Sequence, residues 1–192
     1  PNNTVRSLFV DGESILWIGT DNGVVRKEND VFTSFFEEDG LALNNCWAIA
    51  KDESDKMWFG SYGGGISVYD GNNFNIISKK DGLIHDEITK LFSNNKFMYV
   101  GTSDGISIVD EDSLKITSLK PSDNNLFRVQ KFFNYQNQIY CVTYNSGVYE
   151  IIKEGENFKL DKINSHKFIY NAPGNWYFVS KIVLTYFQKK LF

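Results

Sequence analysis

Little in this sequence invites metal, redox or phosphate chemistry. Its 192 residues include only 2 Cys and 2 His, and these fall at none of the short regular spacings that hold zinc. No apolar run approaches the roughly 18–20 residues that cross a bilayer as a helix. The net charge is −4 with both signs interleaved, and the absence of a basic face argues against nucleic acid and anionic membrane partners. Gly63-Gly64-Gly65 is followed by no Lys-Ser or Lys-Thr and by no helix signal, so it is read as a turn needing positive φ rather than a phosphate cradle. No amphipathic helical pattern of useful length is present. The polar start Pro1-Asn2-Asn3-Thr4 lacks Met and an apolar leader, and is read as a processed or excised product.

Aromatic residues are plentiful, at 16% with 16 Phe and 10 Tyr, and such rings favour pleated surfaces. Four of them, Trp17, Trp58, Tyr99 and Tyr140, stand 41 residues apart (58−17, 99−58 and 140−99). Each opens a similar phrase: Trp17-Ile18-Gly19-Thr20, Trp58-Phe59-Gly60-Ser61, Tyr99-Val100-Gly101-Thr102 and Tyr140-Cys141-Val142-Thr143. Turn clusters every eight to twelve residues divide each unit into four short strands. A period of about 40–45 residues with four strands per unit indicates β-propeller blades. The expected fold is an all-β propeller of four-stranded antiparallel blades, as one domain over 1–192. The blades fall at about 1–42, 43–84, 85–125 and 126–166, with an incomplete fifth at 167–192.

Within each unit the anchors Trp17, Trp58, Tyr99 and Tyr140 are expected to pack between blades. The glycine two residues later lets a neighbour approach closely, and Val142 breaks that rule. The first strand carries apolar pairs at Val5/Leu8, Cys46/Ile49, Ile88/Leu91 and Val129/Phe132. Cys46 and Cys141 occupy apolar slots, which assigns both as small core hydrophobes rather than a disulfide or a reactive thiol. The fourth strand of the third unit is placed at Leu114–Thr117. In the fifth unit the interval shortens to 37 if Tyr177 is the anchor (177−140), and the chain closes no clear ring. Ile182–Phe187 is therefore an expected edge strand.

The phrases Leu16-Trp17-Ile18-Gly19-Thr20-Asp21-Asn22-Gly23-Val24, Met57-Trp58-Phe59-Gly60-Ser61 and Glu38-Asp39-Gly40-Leu41, with the strand opening at Asn44-Asn45-Cys46-Trp47-Ala48-Ile49, resemble the two-component regulator propeller repeat over residues 1 to about 160. The resemblance implies an extracytoplasmic (periplasmic) sensor propeller of a bacterial hybrid two-component system. Such propellers commonly precede an immunoglobulin-like domain, a transmembrane helix and a histidine kinase, and their ligands are often oligosaccharides.

Function is sought where the units differ. The turn after the second strand holds Asp21-Asn22 and Ser103-Asp104 in units one and three, but Tyr62 and Tyr144 in units two and four. The position after the apolar slot holds Arg6, Trp47, Thr89 and Gln130. In propellers these positions share one face around the axial channel, where flat rings stack on sugars and polar groups bond hydroxyls. Trp47, Tyr62 and Tyr144 are the stacking candidates, and Arg6, Arg128 and Gln130 the polar ones, each weighed against simple packing between blades. Glu37-Glu38-Asp39 is consecutive on a loop and is read as a solvated turn, not a facing carboxylate pair. Asp21 and Asp104 are read as turn residues. The expectation is a non-catalytic sensor with an oligosaccharide ligand and neither cofactor nor metal. Two alternatives stand beside it. One is a scaffold that forms a homo-oligomer by strand addition at its edge, and the other a propeller lyase using His85 or His166 as base.

Overall fold

The computed structural model describes residues 3–121 and 126–163. They form four antiparallel sheets, each a meander in chain order. Blade one is β1 (Val5–Val10), β2 (Leu16–Thr20), β3 (Val24–Glu28) and β4 (Val31–Phe35), and blade two is β5 (Ala48–Lys51), β6 (Met57–Gly60), β7 (Ile66–Tyr69) and β8 (Phe74–Ile77). Blade three is β9 (Ile88–Asn94), β10 (Phe97–Thr102), β11 (Gly105–Asp110) and β12 (Ile116–Leu119), and blade four is β13 (Val129–Tyr135), β14 (Gln138–Thr143), β15 (Val148–Glu154) and β16 (Asn157–Lys162). The fold is that of propeller blades. His166, Tyr177, the proposed edge strand Ile182–Phe187 and the rest of the fifth unit lie outside the described residues.

Each interface joins the anchor face of one blade to the opposite face of the next. Trp17, Val24 and Phe35 of blade one meet Met57, Phe59, Tyr69 and Phe74 of blade two. Trp58, Ile66 and Val68 meet Ile88, Met98, Val100 and Val109. Tyr99, Ile106 and Ile108 meet Phe132, Cys141, Tyr149 and Ile151. Trp58 is fully buried and its Nε1 donates to Asp52 Oδ2 at 2.8 Å, which satisfies the one polar atom its ring takes inside. Both cysteines are free and buried, as the repeat alignment requires. Burial pushes the Cys46 thiol up to about 12, far from a reactive thiolate.

The recurrent glycine is explained by the slot residue of the following blade. A Cβ on Gly19 would lie 2.6 Å from Cys46 O, one on Gly60 2.5 Å from Ile88 Cγ2, and one on Gly101 2.6 Å from Val129 Cγ1. A second recurrent device ties off the next turn. Thr20 Oγ1, Ser61 Oγ and Thr102 Oγ1 each donate at 2.9 Å to the carbonyl of Gly23, Gly65 and Gly105, and Thr143 Oγ1 donates to Gly147 O at 2.8 Å. Gly63 (φ 124) and Gly65 (φ 81) adopt positive φ, in keeping with the turn reading.

Three details differ from expectation. The last strand of blade three is Ile116–Leu119, because Leu114 is left-handed at φ 57 and closes a turn whose N–H groups are held by Asp110. Blade two's first strand starts at Ala48, two residues after Cys46, whose N–H reaches across to Thr20 O of blade one at 2.8 Å. Val5 and Leu8 are 52% and 64% exposed, unlike their buried or half-buried counterparts, because no described sheet packs on that face of blade one. Glu37–Asp39 and Lys79–Asp81 form single 3-10 turns in the inter-blade connections. There Asp39 accepts from Phe36 N and Glu37 from Asn44 N.

Candidate functional site

The innermost strands share an irregularity that aims side chains toward one end of the blades. In β1 the register jumps between Val5 and Ser7, in β9 between Ile88 and Lys90, and in β13 between Val129 and Lys131. The unpaired residues are Arg6, Thr89 and Gln130. Trp47 holds the matching place in blade two, just before β5, where its N–H donates to Gly60 O at 2.8 Å. Such bulges re-aim a side chain and are over-represented beside functional sites. The turn after the second strand is brought to the same end by a repeated bond: Asp21 N, Ser103 N and Tyr144 N donate to the carbonyls of Thr4, Glu87 and Arg128. In blade two Tyr62 N donates instead to Asn45 Oδ1 at 2.6 Å.

Four of the six candidates form one continuous cluster. Arg6 grips Asp21 with a two-point fork, Nε to Oδ1 at 2.6 Å and Nη2 to Oδ2 at 2.7 Å. This bond holds the Asp21 carboxyl below its ordinary value. The Arg6 guanidinium also lies over the Trp47 ring, 4.7 Å from its centroid. Trp47 and Tyr62 then lie ring to ring at 4.9 Å and 30°. On the far side Arg128 stands over Tyr62 at 5.9 Å. Both rings are half-buried, which leaves part of each surface for a ligand. Cation–π contact from both ends fixes the pair's position.

Tyr144 is not part of this cluster. It is 60% exposed, and only its backbone joins the group, through the bond to Arg128 O. Gln130 sits half-buried at the bulge of blade four. Thr89, in the equivalent place in blade three, turns its hydroxyl to Val129 O at 2.7 Å and so joins two blades.

Glu87 belongs to the site and was not among the candidates. It lies immediately before the apolar slot, aligned with Thr4, Asn45 and Arg128, and forms an isolated antiparallel bridge with Tyr62. The Ser103 hydroxyl chiefly, then the Tyr62 phenol and the charges of His85 and Arg128, hold its carboxyl below the usual glutamate value, against partial burial. In return Glu87 raises the Tyr62 phenol above its ordinary value. His85 is drawn to the rim, where its Nδ1 accepts from Glu87 N at 3.1 Å and lies 3.3 Å from Ser103 Oγ. Asp104 is paired with Lys120 at 2.6 Å and accepts from Phe127 N, a structural role. Among the described residues no group of three His, Cys, Asp or Glu is placed to hold a metal ion.

Fold and face together define propeller blades carrying an aromatic and cationic patch at one end. Residues 1–22 match the family described as two component regulator propeller. No curated protein matches the chain. Among solved structures, it is similar to the extracellular domain described as that of a hybrid two component system, BT3049 from B. thetaiotaomicron. The match has a TM-score of 0.70 and 21% identity, and covers 82% of this chain and 23% of that one. Two structures of the extracellular domain of BT4673 from the same organism are also similar. One is described as a one component system (TM-score 0.61, 19% identity, 78% of this chain and 24% of that one). The other is described as a hybrid two component system (TM-score 0.66, 18% identity, 86% and 23%). The chain thus spans about a quarter of the length of each structure it matches.

Proposed function

We propose that this chain is part of the extracytoplasmic sensor propeller of a two-component system, and that its axial face binds an oligosaccharide without catalysis. The sensor part of this reading is supported by the family match over residues 1–22, which span the first two strands of blade one, and by the kind of protein to which the similar structures belong. The observation that carries the ligand part is the Trp47–Tyr62 ring pair, half-buried and bracketed by Arg6 and Arg128 at the bulged ends of the blades. Two adjacent aromatic faces suit the C–H faces of consecutive sugar rings, and the forked or hydroxyl groups beside them suit the equatorial oxygens.

The test is a thermal-shift and tryptophan-fluorescence screen of the chain against neutral and acidic oligosaccharides. A ligand of the native state must raise the melting temperature. Losing one stacking face removes about 0.5–1.5 kcal/mol, so Trp47→Ala should weaken the bound sugar by about 2- to 10-fold. Tyr62→Ala should do the same, while Tyr144→Ala should have little effect. No shift with any sugar of the panel, or equal affinity in Trp47→Ala and the parent, overturns the reading.

A further inference from the structure

Among the described residues the cations of the axial face outnumber the carboxylates set against them. The chain as a whole is acidic, at −4, yet Arg6 and Arg128 flank the ring pair with Lys90 within the field of Arg128, against Asp21 and Glu87. Arg6 is neutralised by its fork to Asp21. The Glu87 carboxylate accepts from the Ser103 and Tyr62 hydroxyls and also feels the Arg128 charge, which it offsets in part. Arg128 and Lys90 remain, and neither makes a contact ion pair or donates a side-chain hydrogen bond among the described residues. They also repel one another. Surrounding protein, and then the Arg128 charge, hold the Lys90 ammonium below its ordinary value. Lys90 is exposed overall, so solvent tempers the first of these effects, and the like-charge field of Arg128 is the part that bears on binding.

The position of these two cations is set by the repeat. Arg128 occupies the place before the slot in blade four, and Lys90 follows the bulge in blade three, paired with Gly101, the glycine on which Val129 is seated. The two charges are therefore held together by an inter-blade contact, not by flexible chain. Two neighbouring cations that outnumber the one carboxylate set against Arg128, that of Glu87, are relieved by an anion, and a guanidinium fork matches a planar oxyanion at two points.

We infer that the ligand of this face is an anionic oligosaccharide, whose carboxylate or sulfate is received by Arg128 and Lys90 while a neighbouring sugar ring stacks on Trp47 and Tyr62. The inference rests on the sugar-binding reading above and specifies the chemical class of the sugar.

Calorimetric titration of the chain with an oligogalacturonate, a heparin-derived tetrasaccharide and cellotetraose tests it. One of the two acidic probes should bind about 10- to 100-fold more tightly than cellotetraose, and which one it is distinguishes a carboxylate from a sulfate. Its affinity should fall with added sodium chloride, and Arg128→Gln and Lys90→Gln should each weaken it by about 10-fold. Among the described residues neither side chain makes a contact ion pair, and Arg128 meets Tyr62 only over its ring at 5.9 Å, so the melting temperatures of these variants should stay close to that of the parent. Cellotetraose binding as tightly as both acidic probes overturns the anionic inference and leaves the sugar reading standing. An acidic probe that binds equally to the parent and both variants overturns the placement. If neither acidic probe binds, the inference falls, and the neutral sugars of the thermal screen decide whether the sugar reading falls with it.

Discussion

Gly60→Ala tests whether the recurrent glycine exists to seat the next blade. A Cβ at Gly60 would stand 2.5 Å from Ile88 Cγ2 and 2.9 Å from Ile88 Cβ, well inside the ~3.5–4.0 Å optimum for carbon pairs. Ile88 is fully buried and branched at Cβ, so rotation about χ1 exchanges one clash for another. The two blades must separate locally. Overpacking of this kind costs about 1–3 kcal/mol, and the stiffer unfolded chain returns about 0.4–1, leaving a net loss of about 1–2 kcal/mol. For a chain of this size that lowers the melting temperature by about 2–4 °C per kcal/mol. Equilibrium urea unfolding followed by tryptophan fluorescence reads the change directly. Ile88→Leu removes the Cγ2 branch at nearly constant volume. The double variant should therefore be less destabilised than the sum of the singles by at least ~0.5 kcal/mol. Gly12→Ala is the control, because a Cβ there meets nothing within 4 Å. If Gly60→Ala is as mild as Gly12→Ala, or adds strictly to Ile88→Leu, the seating argument is wrong.

Two further predictions concern stability. Asp52 is buried and accepts from Trp58 Nε1, Ser54 N and Lys56 N. Asp52→Ala leaves these donors unpaired and should cost at least ~2 kcal/mol in urea unfolding, whereas Asp11→Ala should cost less because Trp17 Nε1 lies 3.5 Å from Asp11. The pH profile should show two limbs of opposite sign. Backbone N–H groups chiefly hold Asp70, Asp81 and Asp110 below the ordinary aspartate value. The unfolded chain therefore binds more protons there, and stability is lost as pH falls from the ordinary value through the lowered ones. Burial chiefly raises Glu111 above its ordinary 4.5, so its contribution runs the other way and stability declines as pH rises from that value. Unfolding free energies of the triple Asp→Asn variant should show a flattened acid limb, and an unchanged limb would refute the assignment.

The blades were legible because anchor, glycine and slot all belong to one interface. Trp17 and Gly19 in one unit face Cys46 in the next, and the same geometry repeats 41 residues later, so a packing rule became a sequence interval. Turn chemistry was less legible. Leu114 looks like a strand residue by type, but Asp110 captures the N–H groups of Asp112 and Ser113 and turns the chain before it. The site divided along the same line. Arg6, Trp47 and Gln130 were visible because a bulge recurs at one aligned position, and the residue there varies while its neighbours do not. Glu87 was missed although it stands at an equally variable position, because its partner is Tyr62 in the preceding blade. Periodicity within a unit cannot register a contact between two positions that each break the repeat.

Tyr144 shows the converse. It matches Tyr62 in alignment, yet Tyr62 gains its role from what the next blade places against it, namely Glu87 and, one blade further, Arg128. The aromatic ring is therefore only half of the determinant, and the residue before the following slot supplies the rest. Exchanging that residue in blade three should alter the Tyr62 site more than any change within blade two outside Trp47. Glu87→Gln, which removes the charge while keeping an acceptor for the Ser103 and Tyr62 hydroxyls, isolates this effect. It should tighten an anionic ligand by removing the negative charge next to Arg128, and it should leave a neutral one nearly unchanged. Weaker binding of the anionic ligand would show that Glu87 serves mainly to hold Tyr62 in place.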